Sequence, residues 1–337
     1  MSKHKIIWCI RIPPSLKLES LLPKERFKII TINPKKESDL ISVIKDADIL
    51  VKNGQRIKIG KKVIEKAKNL KLIYKTHDFK HDIDNKTALD RNIKIFSVDI
   101  GTRQIAEHVL TMILMLSRNI LHADAEVRNG TYKKFKIKPT ATSQEEDKFG
   151  NWIQMPPAKI VLGKRLGIIG LGEVGSQVAK ICSNFGMKVK YYDLIRHLDF
   201  EKETRIQYNK LRDILKNSDV ISLHAKINLK KPIIIGKKEI SLMKKSSYII
   251  NTSRGMILDQ ESLYNAIESN KIAGAALDVF EKEPLSYKSP LILSKKIILT
   301  PHIAGGRDVS IISSQDWVEG VKEICFSIIK ITKSMKK

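Results

Sequence analysis

Short apolar runs recur along this chain, each followed by an amphipathic or polar stretch, and that alternation narrows the fold more than any other feature. "KIIWCI", "FKIITI", "ADILVK", "LKLIYK" and "IKIFSV" read as strands, with helical segments such as "KKVIEKAKN" and "NKTALDRN" between several of them. A second series begins at "KRLGIIG" and continues through "KVKYYD", "VISLHA", "SSYIINT", "AGAALDVF" and "KIILT". Repeated strand–helix alternation predicts an α/β chain with two doubly wound parallel sheets. The two units join near residues 100 and 305, and a length of 337 residues suffices for both.

Between the two series, a long helix is expected from about Thr102 to Asn129. Its apolar run "HVLTMILMLSRNIL" breaks at Arg118 and is too short to span a bilayer, so it reads as a buried helix. The stretch "KKFKIKPTATSQEEDKFGNWIQMPPAK", residues 133–159, has no clear period and reads as a long loop, cover or arm. The last helix, "IISSQDWVEGVKEICFSIIKI", carries apolar residues at helical spacing.

Composition excludes several functions. Cys9, Cys182 and Cys325 are odd in number and scattered, which argues against a disulfide framework or a metal site and for a reducing, cytoplasmic compartment. The apolar run in "MSKHKIIWCIR" is too short for a signal peptide. A net charge of +26 raises nucleic acid or an anionic membrane as partners. The lysines are spread along the whole chain, aromatics are only 6%, and no nucleic-acid-binding motif is present, so neither partner is expected. The surviving consequence is an attraction for acidic small molecules.

"RLGIIGLGEVGSQVAK" places Gly170, Gly172 and Gly175 in G-x-G-x-x-G spacing. Alone that pattern is weak, and a plain glycine turn would satisfy it. Here a strand precedes it, a helix opens at Glu173 and Val174, and the next strand closes at Asp193. Such a turn brings a pyrophosphate onto free helix N–H groups, and Asp193 accepts from ribose hydroxyls while repelling a 2′-phosphate. NAD is therefore expected rather than NADP, although Arg196 stands near enough in sequence to pair with a 2′-phosphate.

Charged residues follow three later strands. Arg254 follows "YIINTS", Glu281 and Glu283 follow "AALDVF", and His302 follows "ILTP". Ligands of open α/β sheets bind at strand carboxyl ends. An arginine, a carboxylate and a histidine there suit hydride transfer on a 2-oxo acid: the arginine grips the carboxylate, the histidine moves the proton, and the acid holds the imidazole in its charged form. Singly, each also reads as an ordinary surface ion-pair or turn residue.

At these residues the chain resembles the D-isomer-specific 2-hydroxyacid dehydrogenases. "LGKRLGIIGLGEVG", "DVISLHA", "INTSRGMILDQESLYNAIESNKIAGAALDVFEKEP" and "ILTPHIAGG" carry the resemblance, with "NKTALDRNIKIF" and "IAEHVLTMILMLSRNI" extending it upstream. It implies a Rossmann NAD domain, residues 101–304, inserted in a flavodoxin-like substrate domain formed by residues 1–100 and 305–337, with the active site in the cleft between them. It implies that Arg254 binds substrate, Glu283 rather than Glu281 is the acid partner, and His302 is the general acid/base. By the same resemblance His224, Thr252 and Ser253 approach the cofactor, Asp278 tunes the site, and the chain forms a homodimer through the helix from Thr102.

The substrate loop departs from that pattern. "YKTHDFKHDID" places His77, Asp78 and Phe79 about where a glycine-rich turn is expected, and Arg103 stands at a helix start nearby. With Lys75 and Lys80 these residues suggest a larger, doubly acidic substrate. The other readings are an NAD-binding sensor or scaffold of corepressor type, and a formate- or phosphite-type dehydrogenase.

Overall fold

The computed structural model describes residues 3–52, 58–76, 82–98, 100–136, 151–226, 232–305 and 315–334. The chain divides into two compact units, Met1–Gln104 with Gly305–Lys337, and Ile105–Ala304.

The first unit holds a five-stranded sheet of β1 (His4–Trp8), β2 (Phe27–Thr31), β3 (Ile49–Lys52), β4 (Leu72–Lys75) and β5 (Lys94–Ser97). The order is β2-β1-β3-β4-β5 and every pairing is parallel, which is the flavodoxin-like arrangement. β3 and β4 are buried along their whole length, which is why their sequences are continuous apolar runs rather than alternating ones. Trp8, Val51 and Tyr74 face a cluster with Val321, Ile324 and Ile328 of the helix Gln315–Ser334. Ile7, Leu50 and Ile73 face the other cluster, with Leu40, Ile44 and Val63.

The second unit holds seven parallel strands: β6 (Arg165–Ile169), β7 (Lys188–Tyr192), β8 (Gln207–Tyr208), β9 (Val220–Leu223), β10 (Tyr248–Asn251), β11 (Gly274–Leu277) and β12 (Ile297–Leu299). Their order is β12-β11-β10-β9-β6-β7-β8. From β6 the chain winds one way through β7 and β8, then returns to β9 on the other side of β6 and winds away. The reversal at β6/β9 is a topological switch point, where such sheets bind ligands. Apolar clusters cover both faces, one around Ile168, Tyr191 and Ile250, the other around Ile169, Ile221 and Ile249.

Two expectations need correction. The long helix is two, Arg103–Arg118 and Ile120–Arg128, because Asn119 takes φ 55°, a left-handed conformation that asparagine tolerates and that ends a helical ladder. The first of them faces Ala106, Val109, Met112 and Ile113 inward, whereas the second buries no residue. The two-residue strand β8 escaped the sequence because two residues carry no period.

Of the loop expected over residues 133–159, Thr131–Phe135 forms a 3-10 turn at its start, and residues 137–150 lie outside the described residues. No helix among the described residues is long and apolar enough to cross a membrane. Nor do those residues contain a group of three or more side chains suited to hold a metal ion. The cysteines are free, and burial pushes each thiol up to about 12.

Candidate active site

The turn after β6 is built around Gly170, whose φ of +94° is open to glycine but strained for any side chain. A Cβ on Gly170 would also stand 2.6 Å from the Ala225 amide nitrogen, and one on Gly175 would stand 2.1 Å from the Gly170 carbonyl oxygen. The strand, the turn and the helix Glu173–Asn184 are thus pressed together at these two positions. Gly172 is different: a Cβ there would meet nothing within 4 Å. Open space in front of a helix N-terminus whose first amides lack intrahelical partners is what a pyrophosphate requires. Glu173 opens the helix, and the Val174 side chain packs into the core, so what Val174 offers a ligand is its backbone N–H.

Two buried polar atoms at the same rim have no hydrogen-bond partner among the described residues: His224 Nδ1 after β9 and Thr252 Oγ1 after β10. The other His224 nitrogen, Nε2, lies 2.8 Å from Ser222 Oγ. Desolvation pushes the His224 imidazole down to about 3, so the ring is neutral at physiological pH. Orphaned buried groups next to an open phosphate turn fit a bound dinucleotide.

Asp193 sits directly past β7. Its Oδ2 accepts the Leu171 amide at 2.6 Å, tying the end of β7 to the glycine turn, and Oδ1 accepts Ile195 N at 3.3 Å. Arg196, the residue that left NADP open, is paired with Glu201 at two points, both 2.8 Å.

Arg254, Glu283 and His302 come together. After β10, Asn251 Oδ1 accepts from Ser253 N (3.1 Å) and Ser253 Oγ (3.0 Å), and Asn251 Nδ2 donates to the Arg254 carbonyl (3.0 Å). Gly255 follows, so close to the next loop that an added Cβ would stand 1.9 Å from the Phe280 carbonyl carbon. That contact brings the Arg254 loop onto the Glu283 loop. Glu283 Oε1 accepts Phe280 N at 3.1 Å, and Oε2 lies 2.7 Å from His302 Nδ1. Burial pushes the Glu283 carboxyl up, but the His302 hydrogen bond, the Phe280 amide and the charges of His302 and Arg254 outweigh it and hold the group below its ordinary 4.5. An ionised Glu283 only accepts, so His302 Nδ1 carries the proton and Nε2 is the nitrogen not engaged by Glu283. The alternative acid, Glu281, accepts the Gln260 amide at 3.3 Å instead.

His302 has φ 56°, an unusual backbone for a histidine. Asp278 holds it there. Fully buried at the end of β11, Asp278 accepts Ile303 N (2.9 Å), Ala304 N (2.9 Å) and Thr300 Oγ1 (2.6 Å), clasping the turn on both sides of His302. Both carboxylate oxygens take part in holding this turn. His108 Nε2 stands 3.8 Å from the same carboxylate. Neither Thr300 nor His108 carried a recognisable signal in sequence, since their roles depend on a buried partner far along the chain.

The residues expected at the substrate are less informative. His77, Asp78, Phe79 and Lys80 lie outside the described residues. Arg103 faces carboxylates of its own unit, with Nε 3.7 Å from Asp316 and Nη2 3.6 Å from Glu323. Lys75 is buried 3.6 Å from Asp82, which also holds Lys52 at 2.5 Å. Arg103 and Lys75 therefore have local carboxylates to neutralise them.

A family model described as D-isomer specific 2-hydroxyacid dehydrogenase, NAD binding domain, matches residues 110–304. A glyoxylate reductase of Korarchaeum cryptofilum is 34% identical over 273 residues, covering 80% of this chain and 77% of that protein. A D-3-phosphoglycerate dehydrogenase of Methanocaldococcus jannaschii is 33% identical over 268 residues, covering 79% of this chain and 47% of that longer protein. The crystal structure of a D-lactate dehydrogenase from Aquifex aeolicus with NAD and lactic acid is similar with a TM-score of 0.51 and 26% identity, over 97% of this chain and 96% of that one.

Proposed function

The chain belongs to the D-isomer-specific 2-hydroxyacid dehydrogenase family, NAD-dependent oxidoreductases acting on CH–OH groups, and we propose that it interconverts a 2-oxo acid and the corresponding D-2-hydroxy acid through Arg254, Glu283 and His302. The observation that carries this reading is the 2.7 Å hydrogen bond between His302 and Glu283, with the Arg254 charge close enough to act on the same carboxylate. Arg254 binds the substrate carboxylate with its planar fork of donors. His302 Nε2 gives a proton to the 2-oxo oxygen in reduction and takes it back in oxidation. Glu283 fixes the imidazole tautomer, while Asp278 keeps the His302 turn in place. NAD(H), when bound, supplies or accepts the hydride. The Gly170–Gly175 turn with the amides of Glu173 and Val174 would hold its pyrophosphate, Asp193 its ribose, and His224, Thr252 and Ser253 its nicotinamide end.

For the substrate, local pairing of Arg103 and Lys75 lends no support to a second acidic group. A small 2-oxo acid, the class that includes the glyoxylate in the name of the Korarchaeum relative, is first to test. A panel of glyoxylate, pyruvate, hydroxypyruvate and 2-oxoglutarate with NADH, followed by loss of absorbance, is expected to show turnover with the smaller acids. NADH binding without turnover of any 2-oxo acid would overturn the enzyme reading in favour of a sensor.

Glu283→Gln tests the dyad by pH. In the folded chain the Glu283 carboxyl is held below its ordinary 4.5, so it stays ionised across the neutral range. The stability this gives is fully present above the ordinary carboxylate value and is lost as pH falls through the lowered one. The amide does not ionise, so the Glu283 share of acid destabilisation should disappear in the variant. An amide can donate as well as accept, so it no longer fixes the imidazole tautomer, and turnover at neutral pH should fall. Wild-type turnover at neutral pH would remove Glu283 from the mechanism.

A further inference from the structure

Arg196 is the arginine that follows Asp193 most closely, three residues on in "DLIRHLDFE". A guanidinium in this segment is the group that would receive a 2′-phosphate on a ribose held by Asp193. Instead its Nε donates to Glu201 Oε1 and its Nη2 to Glu201 Oε2, each at 2.8 Å, the parallel two-point geometry of the strongest carboxylate pairs.

Glu201 is not a loose surface acid. Its side chain is 11% exposed, against 58% for Arg196. Oε1 also accepts the Tyr191 hydroxyl at 2.9 Å. Tyr191 is fully buried in β7, so a core tyrosine fixes the carboxylate that the arginine meets. The fixed partner is the acid and the captured one is the exposed base. Nearby, His197 Nε2 stands 3.9 Å from Asp193, and Lys180 pairs with Glu203 at 2.9 Å. A phosphate seeking Arg196 must compete with a carboxylate that is already aligned and largely desolvated.

We propose that Glu201 is a specificity-determining residue: by holding Arg196 in a two-point ion pair it withholds the cation that would otherwise receive a 2′-phosphate, and so reinforces the choice of NAD over NADP. Asp193 opposes the phosphate by repulsion, and Glu201 removes the attraction that would offset it. The inference rests on the reading that Asp193 faces the adenosine ribose.

The test compares kcat/KM for NADH and NADPH, with one 2-oxo acid, in the wild type, Glu201→Gln, Arg196→Ala and the double variant. Glu201→Gln is expected to raise kcat/KM for NADPH about tenfold, the size of one charge-assisted contact, and to change that for NADH less than about twofold. Adding Arg196→Ala should cancel the gain, and Arg196→Ala alone should leave both values unchanged. A folded Glu201→Gln enzyme with the wild-type NADPH/NADH ratio would overturn the proposal. So would a several-fold loss of NADPH efficiency in Arg196→Ala alone, because Arg196 would then already serve the phosphate. Should Glu201→Gln not fold, calorimetric titration of 2′,5′-ADP and ADP into wild type and Arg196→Ala decides: equal affinities uphold the proposal and selective loss for 2′,5′-ADP sinks it. Failure of the underlying ribose reading shows separately, as an Asp193→Ala variant with unchanged KM for NADH.

Discussion

Replacing His302 with Ala is expected to lower kcat by about 100-fold or more while the affinity for NADH stays near that of the wild type. In the proposed reaction the imidazole exchanges a proton with the substrate oxygen, and the side chain bonded to it, Glu283, has no proton of its own to give near neutrality. Because His302 sits at φ 56°, where alanine is disfavoured and asparagine is tolerated, His302→Asn is the cleaner variant. Its amide can still meet the Glu283 carboxylate but cannot act as an acid near neutral pH. Both variants should lose turnover, and only the alanine form should also lose some stability. Steady-state kinetics with fluorescence titration of NADH separates these effects, and near-normal turnover in His302→Asn would refute proton transfer by this residue.

Gly255→Ala is the second large effect. The added Cβ would stand 1.9 Å from the Phe280 carbonyl carbon, 2.0 Å from its oxygen and 2.3 Å from the Glu281 nitrogen. All three are backbone atoms, so relief requires the two loops to move apart. The expected loss of stability is about 3 kcal/mol, at the upper end for overpacking. Separation of the loops also carries Arg254 away from Glu283 and His302. A displacement near 1 Å in a positioned group costs on the order of 100-fold in rate. A thermal melt and kcat/KM on the same preparation check both expectations. Full activity in a folded variant would show that the apposition of these loops is irrelevant to catalysis.

The parallel sheets were legible because their signal is local and repeated: buried strands such as β3, β4 and β9 read as apolar runs wherever they occur. Gly170, Asp193, Arg254, Glu283 and His302 were legible because each stands just past such a run. What escaped depends on partners distant in sequence or on a single backbone angle. The break at Asn119 turns on one residue's left-handed conformation inside an otherwise helical period. Asp278 was placed at the site, but its hold on amides more than twenty residues further along was not visible. Arg196 was visible, but Glu201 was not identified as its partner, because the acid is fixed by Tyr191 of β7, ten residues earlier in the chain. Lys75 read as a loop charge until β4 carried it into the interior beside Asp82.

The reversal of winding at β6 and β9 separates two proposed groups of residues on one sheet. The glycine turn and Asp193, proposed for the adenosine end of the dinucleotide, follow β6 and β7, whereas Arg254, Glu283 and His302, proposed for the acid substrate and its proton, follow β10, β11 and β12. With β9 between the two groups, about 10 Å of sheet lies between β6 and β10. Changes at that spacing without shared partners generally add in free energy. Fold-effects of exchanging the dinucleotide preference and of altering the acid-handling residues should therefore multiply, which allows this scaffold to be re-tuned at either end without retuning the other.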